Sequence, residues 1–388
     1  MLRRAEPMDP RSKVGSRDSL PPARKGADGL REDLMTARHE LLASRHPVYH
    51  RLLGFVISML SGSDADGTLL AGFERCFRTR SFPTFYERPL LLLAALRADA
   101  LEEGAGHPLH AALAVATPEL EAVTLESVTA ALGRERVGLW SRLTNRRVQT
   151  NDPSRAIAWL WPAFLAGCDG GKRPLSLVDV GASAGLNLVA DELPAAWTDL
   201  ATGKAILCAT RVAHLARVGY DLRPLNVKND DDVLWMRACI WPGDVERLAR
   251  FEAAVNAMRA ASSGPSPPTL ERLTASLVPE RLAALANRSP DGGLLLAFQT
   301  LLSGYLEVNE RESYRNGMLE LLERLPAGSA LWTELELDDG RRRLPAVLIA
   351  HVRAGSGVKS LRLARMSQHP TGLEVDTAGV AELRRCLE

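Results

Sequence analysis

Apolar positions over the first third of the chain recur at helical spacing. From Leu34 to about Trp140 no alternating run interrupts that period. Arg88–Glu103 is a stretch of leucines and alanines closed by Gly104 and Gly106. Thr124 is placed to cap LESVTAALGRERVGLWSRL, in which Leu125, Val128, Leu132, Leu139 and Leu143 share roughly one stripe. The pattern predicts an all-helical N-terminal domain over residues 36–150. It changes near residue 150, where Asn151 or Asp152 can cap DPSRAIAWLWPAFLAGC with Pro153 at the first helical position. LSLVDVG then reads as a strand buried on both faces. Further strands are predicted at GYDLRPLNV, GLLLAFQTLL and SALWTELEL, separated by the helices ERLARFEAAVNAMRAA and NERESYRNGMLELLERL. Strands alternating with helices predict an α/β fold with a mostly parallel, Rossmann-like sheet over residues 151–388. AVLIAHVRAG and KSLRLARMSQ, around Gly355-Ser356-Gly357, predict a hairpin that forms an antiparallel edge. SSGPSPP at 262–268 is a loop.

Composition narrows the class. The chain has 388 residues, 46% hydrophobic and 24% charged, the balance of a globular protein of two or three domains. With 48 Lys+Arg against 47 Asp+Glu, bulk charge attraction to nucleic acid is excluded, and no nucleic-acid partner is expected. The longest apolar run, Leu90–Leu96, is too short to cross a bilayer, so no membrane partner is expected. Cys76, Cys168, Cys208, Cys239 and Cys386 form no CxxC pair, which suits a reducing cytoplasm. Residues 1–35 read as a disordered basic tail, because Met1–Arg31 holds eight Lys/Arg, four Asp/Glu and no apolar stretch.

The richest segment is Leu177-Val178-Asp179-Val180-Gly181-Ala182-Ser183-Ala184-Gly185-Leu186-Asn187: a buried strand, a small-residue turn and a helix start. No Gly-Lys pair follows, so it is not a P-loop. Read as GxGxxG it meets Ser183 and the bulky Leu186, so a dinucleotide fingerprint is weak. Two readings remain. GxSxG matches a nucleophile elbow with Ser183 as nucleophile, Asp338 or Asp339 as orienter and His351 or His369 as base. Acidic-x-Gly-x-x-x-Gly matches the nucleoside-binding turn of methyltransferase sheets through Asp179, Gly181 and Gly185. The second is favoured. Everything upstream is helical, whereas an elbow follows several strands. Asp179 supplies a carboxylate that an elbow does not need, and Asp221 in GYDLRP supplies a second acidic strand end. The plainer reading is a turn that only joins a strand to a helix.

The C-terminal half resembles class I S-adenosylmethionine-dependent methyltransferases. Over residues ~45–375 the chain resembles a bacterial family of unknown function related to that fold, through RVQTNDPSR (147–155), LVDVGASAGLNL (177–188), YDLRPLNV (220–227) and CIWP (239–242). The resemblance implies a methyltransferase-type sheet domain that binds S-adenosylmethionine. It places Asp179 near the methionine part of the cofactor, Gly181, Ser183 and Gly185 in the turn beneath it, and Asp221 at the ribose. The chain departs from the common pattern in two ways. Ser183 stands where glycine is usual, and Asp221 follows Asp179 by 42 residues, which makes residues ~194–216 an insertion.

Other polar groups are weighed beside these. Arg147, Gln149, Thr150, Asn151 and Arg155 could line a cofactor or substrate mouth, or could only cap a helix and charge the surface. Gln299-Thr300 takes the place of the acidic-PPY motif of amino methyltransferases and could face substrate, though neither residue is a good base. Asp230–Asp232 more simply charge a helix start than bind a metal. His46/His50 and His107/His110 lack an acidic partner, so no metal is expected. Trp140, Trp159, Trp161, Trp235 and Trp241 read as core. The expected activity is methyl transfer to a small molecule or a protein, with no catalytic base assigned. A serine hydrolase and a non-catalytic cofactor-binding or scaffold protein are the alternatives.

Overall fold

The computed structural model describes residues 26–42, 46–61, 67–82, 84–149, 151–194, 196–288, 292–338, 344–355 and 357–388. Residues 1–25 of the expected tail, and Thr150, Asp339 and Ser356, lie outside the described residues. The helices are α1 (Gly26–Ala37), α2 (Pro47–Met59), α3 (Gly67–Phe77), α4 (Glu87–Glu103), α5 (His110–Leu113), α6 (Leu125–Ala131), α7 (Val137–Asn145), α8 (Ile157–Leu165), α9 (Asp230–Ala238), α10 (Val245–Ala261), α11 (Val278–Ala286), α12 (Val308–Arg324) and α13 (Thr377–Leu387). The strands are β1 (Leu175–Val180), β2 (Thr198–Asp199), β3 (His214–Asp221), β4 (Thr269–Arg272), β5 (Leu294–Thr300), β6 (Ala330–Leu337), β7 (Ala346–Ala354), β8 (Gly357–Met366) and β9 (Gly372–Val375). No described helix is long and apolar enough to cross a membrane.

The chain divides into two units. One joins Leu20–Thr150 with Lys228–Ala249, and its described elements are all helical. Thr124 caps α6 as expected, in a reciprocal capping box with Ser127. The expected boundaries need two corrections. Residues 26–35, assigned to the tail, lie in α1: Leu30 and Leu34, one helical turn apart, are buried, and Asp33 pairs with Arg88 at 2.5 Å. Residues 228–249, assigned to the sheet domain, pack here. His46 Nε2 bonds Pro242 O at 2.9 Å, and Arg97, buried in α4, donates to Ile240 O. The N-cap of α9 is Asn229 rather than an aspartate. Asp231 and Asp232 in its first turn bond Arg146 instead.

The other unit, Asn151–Val227 and Arg250–Glu388, is a nine-stranded sheet in the order β2-β9-β8-β7-β6-β5-β1-β3-β4. Its centre is β1, whose six residues are all buried, because parallel strands are covered on both faces. β4-β3-β1-β5-β6 pair in parallel. Numbered among themselves they run 3-2-1-4-5, the order of a doubly wound sheet, and the order reverses between β1 and β5. β7 and β8 form the expected antiparallel hairpin, and β9 extends it antiparallel. Trp159 and Leu160 of α8 and Leu383 of α13 belong to the core that includes Leu177 and Phe298; Val278 of α11 and Tyr314 and Met318 of α12 belong to the one that includes Val178 and Ala297.

Two local expectations are corrected. The strand expected at 219–227 is β3, which ends at Asp221. Arg223-Pro224 cannot extend a ladder, and Arg223 N donates to Asp221 Oδ1 at 2.7 Å, turning the chain away. The helix expected after the glycine turn is a 3-10 segment, Leu186–Glu192, broken at Val189. It is too short to bring a helix dipole to bear on a ligand.

Candidate functional site

The carboxyl ends of β1 and β5 flank the point where the strand order reverses, the place where open α/β sheets leave a crevice. The turn after β1 is built from residues that tolerate unusual backbone. Gly181 (φ 81) and Gly185 (φ 71) are left-handed, and a Cβ at Gly185 would lie 2.9 Å from Leu270 and 3.2 Å from Met258. Ser183 also has φ 52. It is held on all sides. Its N–H donates to Asp221 Oδ2 at 2.8 Å, its carbonyl accepts from Leu225 N at 3.1 Å, and its hydroxyl accepts from Asn151 Nδ2 at 2.7 Å. Asp179, Gly181, Ser183, Gly185 and Asp221 are thus brought together as the motif implied.

Beneath this turn lie acceptors with no partner. Asp179 is 2% exposed and Asn187 6%, and neither Asp179 Oδ2 nor Asn187 Oδ1 receives a hydrogen bond. Burial, aided by the Asp221 charge, pushes the Asp179 carboxyl well above the usual carboxylate range. Asn187 was visible in the sequence only as the residue flanking the turn.

Across the reversal point, Gln299 is fully engaged rather than open to a substrate. Its amide donates to Glu336 Oε1 at 2.8 Å and its oxygen accepts from Trp332 Nε1 at 3.3 Å. Glu336 Oε1 also accepts from Leu302 N at 3.0 Å and Ser303 N at 3.1 Å. This fixes the segment after β5, where Leu301 has φ 54 and the Leu302 side chain covers Gly181. Burial, reinforced by Glu334, raises the Glu336 carboxyl to about 7. Glu334 is buried as deeply. The hydrogen bond and charge of His351, at 2.5 Å, and of Arg315, at 2.9 Å, outweigh burial and hold it low. His351 also bonds Ser360 and stacks on Trp332 at 4.3 Å. The sequence reading missed this cluster.

The expected mouth residues fall in both units. Arg147 and Gln149 belong to the helical unit. Arg147 is exposed, its carbonyl accepts from Trp235 Nε1 at 2.8 Å, and the Gln149 backbone bonds the Cys239 thiol. Asn151 and Arg155 belong to the sheet unit. Arg155 is 4% exposed, and its Nε donates to Gln368 O at 2.9 Å. Of the groups named for a hydrolase, His369 bonds Asp152 at 2.5 Å, Asp338 bonds Arg365, and His351 bonds Glu334 and Ser360. In the helical unit, Asp99, Glu103 and His107 bring potential ligand atoms within 4.8 Å of one another. Arg136 pairs with both carboxylates and Arg142 lies 3.6 Å from Asp99, so this is an ion-pair network already matched in charge.

No curated protein and no solved structure matches the chain. A family model described as an uncharacterized protein conserved in bacteria matches residues 37–374, a span that includes all four motifs above. The chain therefore belongs to the bacterial family DUF2332.

Proposed function

We propose that the sheet unit binds S-adenosylmethionine at the carboxyl end of β1, in a methyltransferase-type site, and that the protein transfers the methyl group to a small-molecule or protein acceptor. The observation that carries this reading is the pair of buried, unpartnered acceptors, Asp179 Oδ2 and Asn187 Oδ1, under a glycine turn at the reversal point. A buried acceptor without a donor is costly unless a ligand supplies one. An ammonium group, as on the methionine part of this cofactor, would supply several and would favour the ionised form of Asp179. Asp221 is half-buried at the end of the adjacent strand. A carboxylate has about four lone-pair sites. Two are taken by Ser183 N and Arg223 N, which leaves capacity for ribose hydroxyls. When bound, S-adenosylmethionine supplies an electrophilic methyl group. The chain's own part would be to orient: Asp179 and Asn187 would hold one end and Asp221 the other. A cytoplasmic location goes with this reading. Isothermal titration with S-adenosylmethionine and its demethylated product, with mass spectrometry of the denatured protein for retained cofactor, tests it. No heat at millimolar ligand and no retained cofactor refute it.

A further inference from the structure

We propose that Asn151 is a positioning residue for this site: its side-chain amide holds Ser183 in the left-handed conformation that shapes the turn, without itself touching the ligand. The proposal rests on the S-adenosylmethionine reading for its ligand and on geometry for its mechanism. Ser183 has φ 52, a region that glycine enters freely and an L side chain does not. Of the bonds that hold it, those from Asp221 and Leu225 engage backbone atoms that any residue would offer. Among the described residues, only Asn151 engages the side chain, at 2.7 Å, and its own Oδ1 accepts from Ala184 N at 3.5 Å. The amide thus spans the Ser183 side chain and the next peptide. Asn151 is 6% exposed. It is fixed in turn by its neighbour Asp152, whose carboxylate accepts from Ser154 N at 3.0 Å and pairs with His369. A serine at this position of the turn is therefore matched by a partner delivered from the segment before α8.

The partnership makes a prediction that a ligand-contacting or merely stabilising asparagine does not. If Asn151 acts through Ser183, it becomes dispensable once residue 183 is glycine. The experiment compares wild type, Asn151→Ala, Ser183→Gly and the double variant. Affinity for S-adenosylhomocysteine is read by calorimetry, and exchange of the amides of 183–185 by hydrogen–deuterium mass spectrometry. Asn151→Ala should weaken binding about tenfold and speed exchange by a similar factor, the size of the penalty for an L residue in this conformation. Ser183→Gly sets its own reference affinity and exchange rate, and the double variant should match it. An equal loss from Asn151→Ala in both backgrounds overturns the proposal. If wild type binds no ligand, the S-adenosylmethionine reading falls, and the exchange cycle alone still decides whether Asn151 positions the turn. If Asn151→Ala does not fold, the double variant must fold, or the proposal is wrong.

Discussion

Replacing Glu336 with glutamine should change how the stability of the protein depends on pH. In the folded chain this carboxyl is buried and titrates at about 7, against an ordinary value of 4.5. Between those two values the folded protein keeps a proton that the unfolded chain has released. The folded state therefore binds more protons, and stability falls as pH rises. At about 1.4 kcal/mol per unit, the interval is worth about 3 kcal/mol, fully present below 4.5 and lost above 7. Glutamine does not titrate, and its oxygen can still accept from Leu302 N and Ser303 N, so any fixed cost of the change cancels when two pH values are compared. Glu334 is held below its ordinary value and titrates outside this window. Urea unfolding of both proteins at pH 4.5, 6, 7 and 8, followed by tryptophan fluorescence, reads the difference. It should shift by about 3 kcal/mol in favour of Glu336→Gln from the lowest pH to the highest. A difference that does not move with pH would show that Glu336 titrates in the folded protein at its ordinary value and that burial does not raise it.

Three further outcomes are expected. Asp221→Ala should weaken binding of S-adenosylhomocysteine by roughly one to three powers of ten, from lost charge-assisted hydrogen bonds of roughly 1.5–3 kcal/mol each; equal affinity by calorimetry would remove Asp221 from the site. Asp33→Ala takes the buried carboxylate from Arg88 and should cost about 3–5 kcal/mol in thermal or urea unfolding, whereas a loss below about 1 kcal/mol would mean that α1 contributes little to the fold. A fluorophosphonate probe should leave Ser183 unlabelled; stoichiometric labelling lost in Ser183→Ala would support the hydrolase alternative instead.

Legibility in the sequence followed the range of the interaction. β1 and the β7–β8 hairpin were readable because apolar runs and glycine turns declare themselves within ten residues. The Thr124 cap needed only three. β3 was placed five residues late because its first half, HLAR, is partly exposed and neither alternates nor runs apolar. β2 and β4 are edge strands of two and four residues with almost no buried side chains, so no pattern marks them. In α1 two leucines one turn apart were outweighed by the polar residues around them. The site divides in the same way. The turn residues from Asp179 to Gly185 form one continuous motif. Glu334 and Glu336, two apart on β6, look like the wet face of a strand until Arg315 and Tyr314 of α12 are brought over them by tertiary packing. The roles of Asn151 and Arg155 depended on partners at positions 183 and 368, which spacing along the chain cannot reveal.

The assignment of Lys228–Ala249 to the helical unit sets the order in which this protein can be completed during synthesis. The ribosome delivers α1 to α7 first, but Arg97 and His46 must wait for Ile240 and Pro242, 143 and 196 residues further along the chain. In the meantime β1 and β3 emerge and pair, while the other neighbour of β1, β5, follows only after the helical unit has received its last piece. The two units therefore close alternately rather than one after the other. No single truncation point can release an intact sheet unit by itself, and only stops beyond Ala249 spare the helical one.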